Sequence, residues 1–193
     1  MRGEFLAMSA VAAAVVLAAP ASASQLVTNG GFETGNFTGW TLTGNTAFTG
    51  VDNTAHSGSD AAFFGQVGST GSLSQTLSTV AGQMYTVSFW LQDNGGTPSS
   101  FNASFGGDAL TSLSDPAAFD YTFYTYTVSA SSNSTLLSFT FRQDPSYFHL
   151  DDVSVEEVSS VPEPATWAMM MLGMGAIGVS LRRRKTRAAA TLA

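Results

Sequence analysis

Few side chains in this sequence are of types that do chemistry on a substrate. Cysteine is absent, and there are two histidines, His56 and His149. They lie far apart, outside the spacings that seat a metal, such as two histidines on one helical turn. The many serines show no nucleophile-elbow pattern. Paired acids of the glycosidase type stay open, because their separation is a property of the fold. Both histidines are therefore expected to be structural, and the chain is expected not to be an enzyme. Acids dominate the ionisable groups. Between Gln25 and Val161 twelve Asp and Glu face a single base, Arg142, so this segment carries −11 against −7 for the whole chain of 193 residues. Proteins bind phosphate backbones by displacing counterions with Lys and Arg, so nucleic acid does not fit as a partner, whereas divalent cations and neutral sugars do.

Strands must position these acids. "YTVSFWL" puts Tyr85, Val87, Phe89 and Leu91 on one face and Thr86, Ser88 and Trp90 on the other, the period of two expected of a sheet strand. Similar runs fall at 72–79, 101–105, 121–128, 134–141 and 150–158, separated by turn-like segments such as "DNGGTPSS", "GGDALTSLSDP" and "RQDPS". No run between them has helical periodicity, and no repeat of fixed period is present. Many short strands with glycine-rich turns predict an all-β sandwich or jelly roll over residues 24–160. The threonines do not recur at a fixed spacing over several strands, so a regular ice-facing array is not expected. With no disulfide available, the domain must rest on its packed core.

Both ends read as addresses. Arg2 precedes an apolar stretch from Leu6 to Ala19, followed by Ala21-Ser22-Ala23. This is the composition of a signal peptide, residues 1–23, cut after Ala23 by signal peptidase. Near the other end residues 165–181 carry no charge and would make about 25 Å of helix at ~1.5 Å per residue, marginal for a single transmembrane helix. Arg182, Arg183, Arg184 and Lys185 follow at once, a cluster that the positive-inside bias keeps in the cytoplasm. Pro162 and Pro164 hold Glu163 extended. The run Pro162-Glu163-Pro164-Ala165-Thr166-Trp167-Ala168, the apolar stretch and the arginines together resemble the PEP-CTERM sorting signal in its PEPxxWA form. That resemblance implies recognition by exosortase, a membrane-embedded processing enzyme. It also implies a membrane-anchored precursor in transit through the inner membrane and delivery to the cell surface or extracellular matrix. Residues 161–187 would be the sorting signal and 188–193 a disordered tail. An uncleaved anchor, with Trp167 as an interfacial aromatic, is the alternative.

Within the domain, "NGGFETGNFTGW" (29–40), "HSGSDAAFFG" (56–65), "LSQTLSTVAGQMYTVSFWL" (73–91) and "LDDVSV" (150–155) occur in this order. Together they resemble galactose-binding-like jelly rolls, the architecture of many carbohydrate-binding modules. The resemblance implies a structural Ca²⁺ that ties the first segment to the last strand through Glu33 and Asp151 or Asp152, completed by backbone carbonyls near Ser57 and Gly58. Hard oxygen ligands suit that ion. Asp151 shares the parity of Val153 and Val155 and is expected to point the same way; capping of a strand end is the alternative role for these acids. For sugar binding, the resemblance implies aromatic rings stacked on pyranose faces, which singles out Trp90, Tyr124 and Tyr126, with Gln92 or Asn94 as polar partners. The same rings suit a sandwich interior, as Trp40 is expected to do. The expected function is a non-enzymatic, exported protein that binds exopolysaccharide, or a structural matrix protein or adhesin without a sugar site.

Overall fold

A computed structural model describes residues 24–158 and 169–178. The expected signal peptide, the motif residues Pro162, Glu163, Pro164, Trp167 and Ala168, the cluster Arg182, Arg183 and Arg184, and the tail 188–193 lie outside the described residues. Residues 169–178 form a helix inside the expected apolar span. Among the described residues no helix is long and apolar enough to cross a membrane.

Alternation of apolar and polar residues resolves into ten strands. They are β1 (Thr41–Gly44), β2 (Thr49–Asp52), β3 (Ala61–Phe64), β4 (Gly71–Ser78), β5 (Met84–Asp93), β6 (Ser99–Phe105), β7 (Asp108–Ser114), β8 (Phe119–Ser129), β9 (Ser134–Gln143) and β10 (Phe148–Glu157). Two five-stranded antiparallel sheets result. Sheet I has the order β1-β4-β9-β6-β7 and sheet II the order β2-β3-β10-β5-β8. The expected all-β sandwich is what forms.

The interior is a phenylalanine lattice. Phe64 of sheet II stacks on Phe141 of sheet I with ring centroids 3.8 Å apart. Phe89 meets Phe139 edge-on at 5.3 Å, and Phe101 meets Phe148 at 5.5 Å. Each such pair adds about 0.5–1.5 kcal/mol beyond the area it buries. Trp40 is core, as expected: its ring lies 5.8 Å from Phe32 and 6.1 Å from Phe139, and its Nε1–H donates to the Asn29 carbonyl at 3.1 Å.

Four strands depart from the sequence reading. The stretch "GGDALTSLSDP" is not only a turn, since it holds β7. Gly106 and Gly107 both take positive φ, 62° and 95°, as a two-residue hairpin requires, and the hairpin carries Asp108–Ser114 back along β6. β1, β2 and β3 have four residues each, too few for a period of two to stand out.

The first segment is welded to the last strand through Gly30. Val153 N–H donates to the Gly30 carbonyl at 2.9 Å, and a Cβ on Gly30 would stand only 2.0 Å from the Val153 carbonyl oxygen. Backbone faces backbone there, so no side chain can yield. Gly30→Ala is therefore expected to destabilise the domain by about 3 kcal/mol, the upper range for overpacking, measured as a fall in the denaturant midpoint; an unchanged midpoint would show that the segment is free to lift off β10.

Candidate functional site: a capped face and a bare face

The outer face of sheet II is organised by its acids. Leu150 pairs with Leu91 and Asp151 with Trp90, after which the register shifts before Ser154 pairs with Ser88. Phe148 and Leu150 belong to the core, and beyond the irregularity so do Val153 and Val155. The inward parity thus changes from even to odd at the bulge. This corrects the expectation for Asp151: it does not follow Val153 into the sandwich, but lies on the Trp90 side of the sheet. Asp152, with φ of 49°, is the residue that absorbs the change.

Asp151 is nevertheless fully buried, because the 53–60 segment lies over it. Its Oδ2 accepts the backbone N–H groups of His56 at 2.8 Å and Ser57 at 3.1 Å, and its Oδ1 accepts that of Asp152. Burial pushes the Asp151 carboxyl above the usual carboxylate range, and these donors act against the rise. Asp152 holds the same segment by its side chain, with Oδ1 2.6 Å from Ser57 Oγ and Oδ2 2.7 Å from His56 Nδ1. Glu33, from the first segment, accepts the N–H groups of Ser59 and Asp60 through Oε1. Gly58 is required here, since its φ is 67° and a Cβ would touch Glu33 Oε1 at 2.1 Å.

A methyl group on Gly31 would stand 3.7 Å from Asp151 Oδ1, 3.7 Å from Glu33 Cγ and 3.8 Å from Asp152 Oδ1. The side chains of the three acids singled out in the sequence therefore lie around Gly31, with the Glu33 carboxylate turned to Gly58. Their field is felt nearby: burial and then the charges of Asp151, Asp52 and Asp152 push the Tyr121 hydroxyl far above its ordinary value. Among the described residues no group of three or more His, Cys, Asp or Glu side chains is placed to hold a metal, so an ion here would draw on backbone oxygens as well. Carboxylate oxygens are hard donors of the kind that Ca²⁺ takes.

The aromatic residues singled out for sugar do not share a surface. Trp90 faces outward, but His56 lies flat upon it with centroids 3.7 Å apart and planes at 14°, and Phe123 flanks it at 5.2 Å. Tyr124 and Tyr126 are on the opposite side of β8, packed on the core and stacked against Phe89 at 5.2 and 6.3 Å. β8 is an edge strand, so these two rings are core on one side and open on the other. Both histidines have packing partners, His56 on Trp90 and His149 beside Asp52. His149 is buried, with Nε2 3.8 Å from Asp52 Oδ2, and burial lowers its pKa against the raising effect of Asp52.

The outer face of sheet I is different in kind. Register aligns Thr43, Ser72, Thr140, Asn102 and Ser112 in one row across all five strands. Thr41, Ser74, Ser138 and Ser104 form the next row. Neighbouring positions within a row are ~4.8 Å apart by strand spacing, and the rows touch where Ser72 Oγ meets Ser138 Oγ at 3.2 Å. Linear spacing of threonines does not reveal this array, because five of its nine members are serine and its order is set by pairing. Arg142, paired with Ser100, stands at the margin and bonds Asp144 at 3.3 Å. Among the described residues, no aromatic ring of β4, β6 or β9 points outward, because every phenylalanine of these strands is buried in the core.

Comparison with known proteins agrees with both parts of this chain. Residues 24–151, more than half of the sequence, match the carbohydrate binding domain family, and residues 160–185 match the PEP-CTERM protein-sorting motif. No curated protein sequence matches. Among solved structures, the enzymatically active domain of bacteriophage CBA120 tailspike protein 4 superposes with a TM-score of 0.57 at 17% identity, covering 69% of this chain but only 21% of the tailspike chain. The module TmCBM61, solved with β-1,4-galactotriose, gives 0.54 at 21% identity over 68% of this chain and 97% of its own. The CBM22-1 xylan-binding domain of Paenibacillus barcinonensis Xyn10C gives 0.53 at 18% identity over 74% and 100%. These likenesses establish a shared sandwich fold, and the profile match decides the family: the chain belongs to the carbohydrate binding domain family and carries a PEP-CTERM protein-sorting motif.

Proposed function

We propose that this is an exported, non-enzymatic protein of a bacterial cell surface or extracellular matrix, which binds exopolysaccharide through the outer face of sheet I. The observation that carries this reading is the double row of hydroxyl and amide side chains on an uncovered face of a carbohydrate binding domain. Ser and Thr hydroxyls both donate and accept, so they match the hydroxyls of a neutral sugar chain. The ligands of two fold relatives, a β-1,4-galactotriose and xylan, make neutral β-linked polysaccharides the first to test. Trp90, Tyr124 and Tyr126 then serve the scaffold. A second reading, a matrix protein or adhesin without a sugar groove, is favoured by the lack of an outward ring on the central strands of sheet I.

Retention on immobilised polysaccharide separates the two. Asn102→Ala combined with Thr140→Ala is expected to weaken retention about tenfold, the loss of one to two hydrogen bonds, with an unchanged melting transition. Trp90→Ala is expected to do the reverse, costing roughly 2 kcal/mol of stability through lost packing while folded protein is retained normally. Full retention by the double variant would leave the matrix reading.

Calcium belongs to the scaffold in this proposal, held by Glu33 and Asp151 or Asp152 with backbone oxygens of the 53–60 segment in place of part of their present hydrogen bonds. When bound it supplies the positive charge that these carboxylates lack. At about 100 times its dissociation constant it adds ~2.7 kcal/mol if only the folded state binds. The melting temperature is expected to rise in millimolar calcium and fall in chelator, with the response lost in Glu33→Ala. A chelator without effect on a protein that elemental analysis finds metal-free would remove the ion from this account.

Export is proposed to use residues 1–23 as a signal peptide and residues 161–187 as a membrane-anchored sorting signal for exosortase. In an exosortase-containing host, Glu163→Ala is expected to hold unprocessed protein in the membrane fraction; release equal to the parent would show that the motif is not read.

A further inference from the structure

Asp93 ends β5 on the inner side of sheet II, with the parity of Phe89 and Leu91. It is 1% exposed, and its Oδ1 accepts the Gly95 N–H at 2.8 Å and an N–H of the Gln143 amide. Gln143 ends β9 of sheet I and is itself fully buried, so this bond runs from one sheet to the other through the interior. Two atoms beside it are left over: Asp93 Oδ2 and Gln143 Oε1 are both buried without a partner. Ser99, which pairs with Gln143 from β6, adds a buried hydroxyl in the same condition.

Carboxylate and carboxamide oxygens only accept hydrogen bonds, and a buried charge without a partner is far costlier than a neutral group. No cation offsets this one. Arg142, the sole Lys or Arg in residues 24–158, precedes Gln143 but alternates to the outer face and bonds Asp144 at 3.3 Å. Of the other ionisable groups on the elements packed here, Asp120 follows Phe119 on β8 and is exposed, and His149 follows Phe148 on β10 and lies beside Asp52. Asp115, after β7, accepts the Ser99 N–H at 2.7 Å. None of these acts on Asp93: burial pushes its carboxyl up, and the Gly95 and Gln143 donors work against the rise.

We propose that Asp93 is held as the neutral acid in the folded protein, and that its proton, on Oδ2, is donated to Gln143 Oε1 to close a two-bond clamp between β5 and β9 that opens when the proton leaves. Carboxyl and carboxamide are planar groups of matching shape, each with its second polar atom next to the bonded one. One proton therefore answers both leftover atoms. The Ser99 hydroxyl, which donates as well as accepts, has the same oxygens to turn to. Gln143 and Ser99 each stand three residues from a member of the polar rows, Thr140 and Asn102. Acid tightens this end of the sandwich, and alkali loosens it.

The sign follows from proton linkage. Above the ordinary carboxylate pKa of ~3.9 the unfolded chain has released this proton while the folded chain keeps it. The clamp's contribution is whole below that value and falls as pH rises, by up to about tenfold in the folding constant per pH unit, until the folded carboxyl has titrated as well.

Urea unfolding of the purified protein and of Asp93→Asn between about pH 4 and about pH 9 tests the clamp. The variant amide keeps the shape and carries its donor at every pH. It is expected to match the parent at the acid end and to exceed it by a margin that widens with pH, reaching at least about tenfold in the folding constant. Gln143→Leu, with neither donor nor acceptor, is expected to weaken folding throughout. In the parent, the carbon-13 signal of the Asp93 carboxyl is expected to titrate above the ordinary carboxylate range. A parent-to-variant difference that does not change with pH, a variant less stable than the parent at every pH, or an Asp93 signal that titrates in the ordinary range overturns the proposal. A metal ion that stays bound in Glu33→Ala and is lost from Asp93→Asn would put a cation where we place the proton, and overturns it too.

Discussion

One buried carboxylate organises the molecule. Asp151 accepts the N–H groups of His56 and Ser57, and through them the 53–60 segment is fixed across the outer face of sheet II. That bond sets His56 on Trp90, brings Ser57 to Asp152, and presents Ser59 and Asp60 to Glu33 of the first segment. Three stretches distant in sequence are thereby joined without a disulfide. The cost is an accumulation of negative charge, and the domain contains one base, Arg142, which stands on the other sheet.

The two sheets divide the work accordingly. Sheet II is covered by the 53–60 segment around Asp151, and its outward ring Trp90 is used as a seat for that loop. Sheet I presents hydroxyls and an amide from its three central strands, groups that stay hydrated without charge and leave no apolar patch to invite association. A face of this kind is compatible with exposure in the free protein and with partners that are themselves hydroxylated. Its order comes from the same strand pairing that packs Phe101, Phe139 and Phe141 inward, since alternation sends every second residue out.

Much of this was legible beforehand. The long strands β4, β5, β6, β8, β9 and β10 announce themselves by alternation, and Trp40 falls in the core as its context suggests. Glu33, Asp151 and Asp152 were singled out only through the family resemblance of the short motifs, and their side chains do lie around Gly31. What was not legible depends on pairing. The bulge after Asp151 reverses parity, which no local pattern marks. The inward turn of Tyr124 and Tyr126 follows from their register with Phe89 and Val87, and the edge position of β8 leaves them half open. The rows on sheet I were half visible, as the polar positions of each strand, yet only the register brings Ser72, Thr140 and Asn102 side by side. β7 is hidden because "DALTSLS" has only weak alternation and sits between glycines and a proline.

The hydroxyl rows carry a further consequence. A Ser or Thr hydroxyl rotates about its C–O bond and can offer its hydrogen to either side, so a ladder built from such groups has no built-in sense of direction. A chain lying along Thr43, Ser72, Thr140 and Ser112 would meet the same complement of donors and acceptors whichever of its ends came first. Only Asn102, whose oxygen and nitrogen are distinct, breaks that symmetry. Among the hydrogen-bonding groups of this row, direction therefore rests on a single amide.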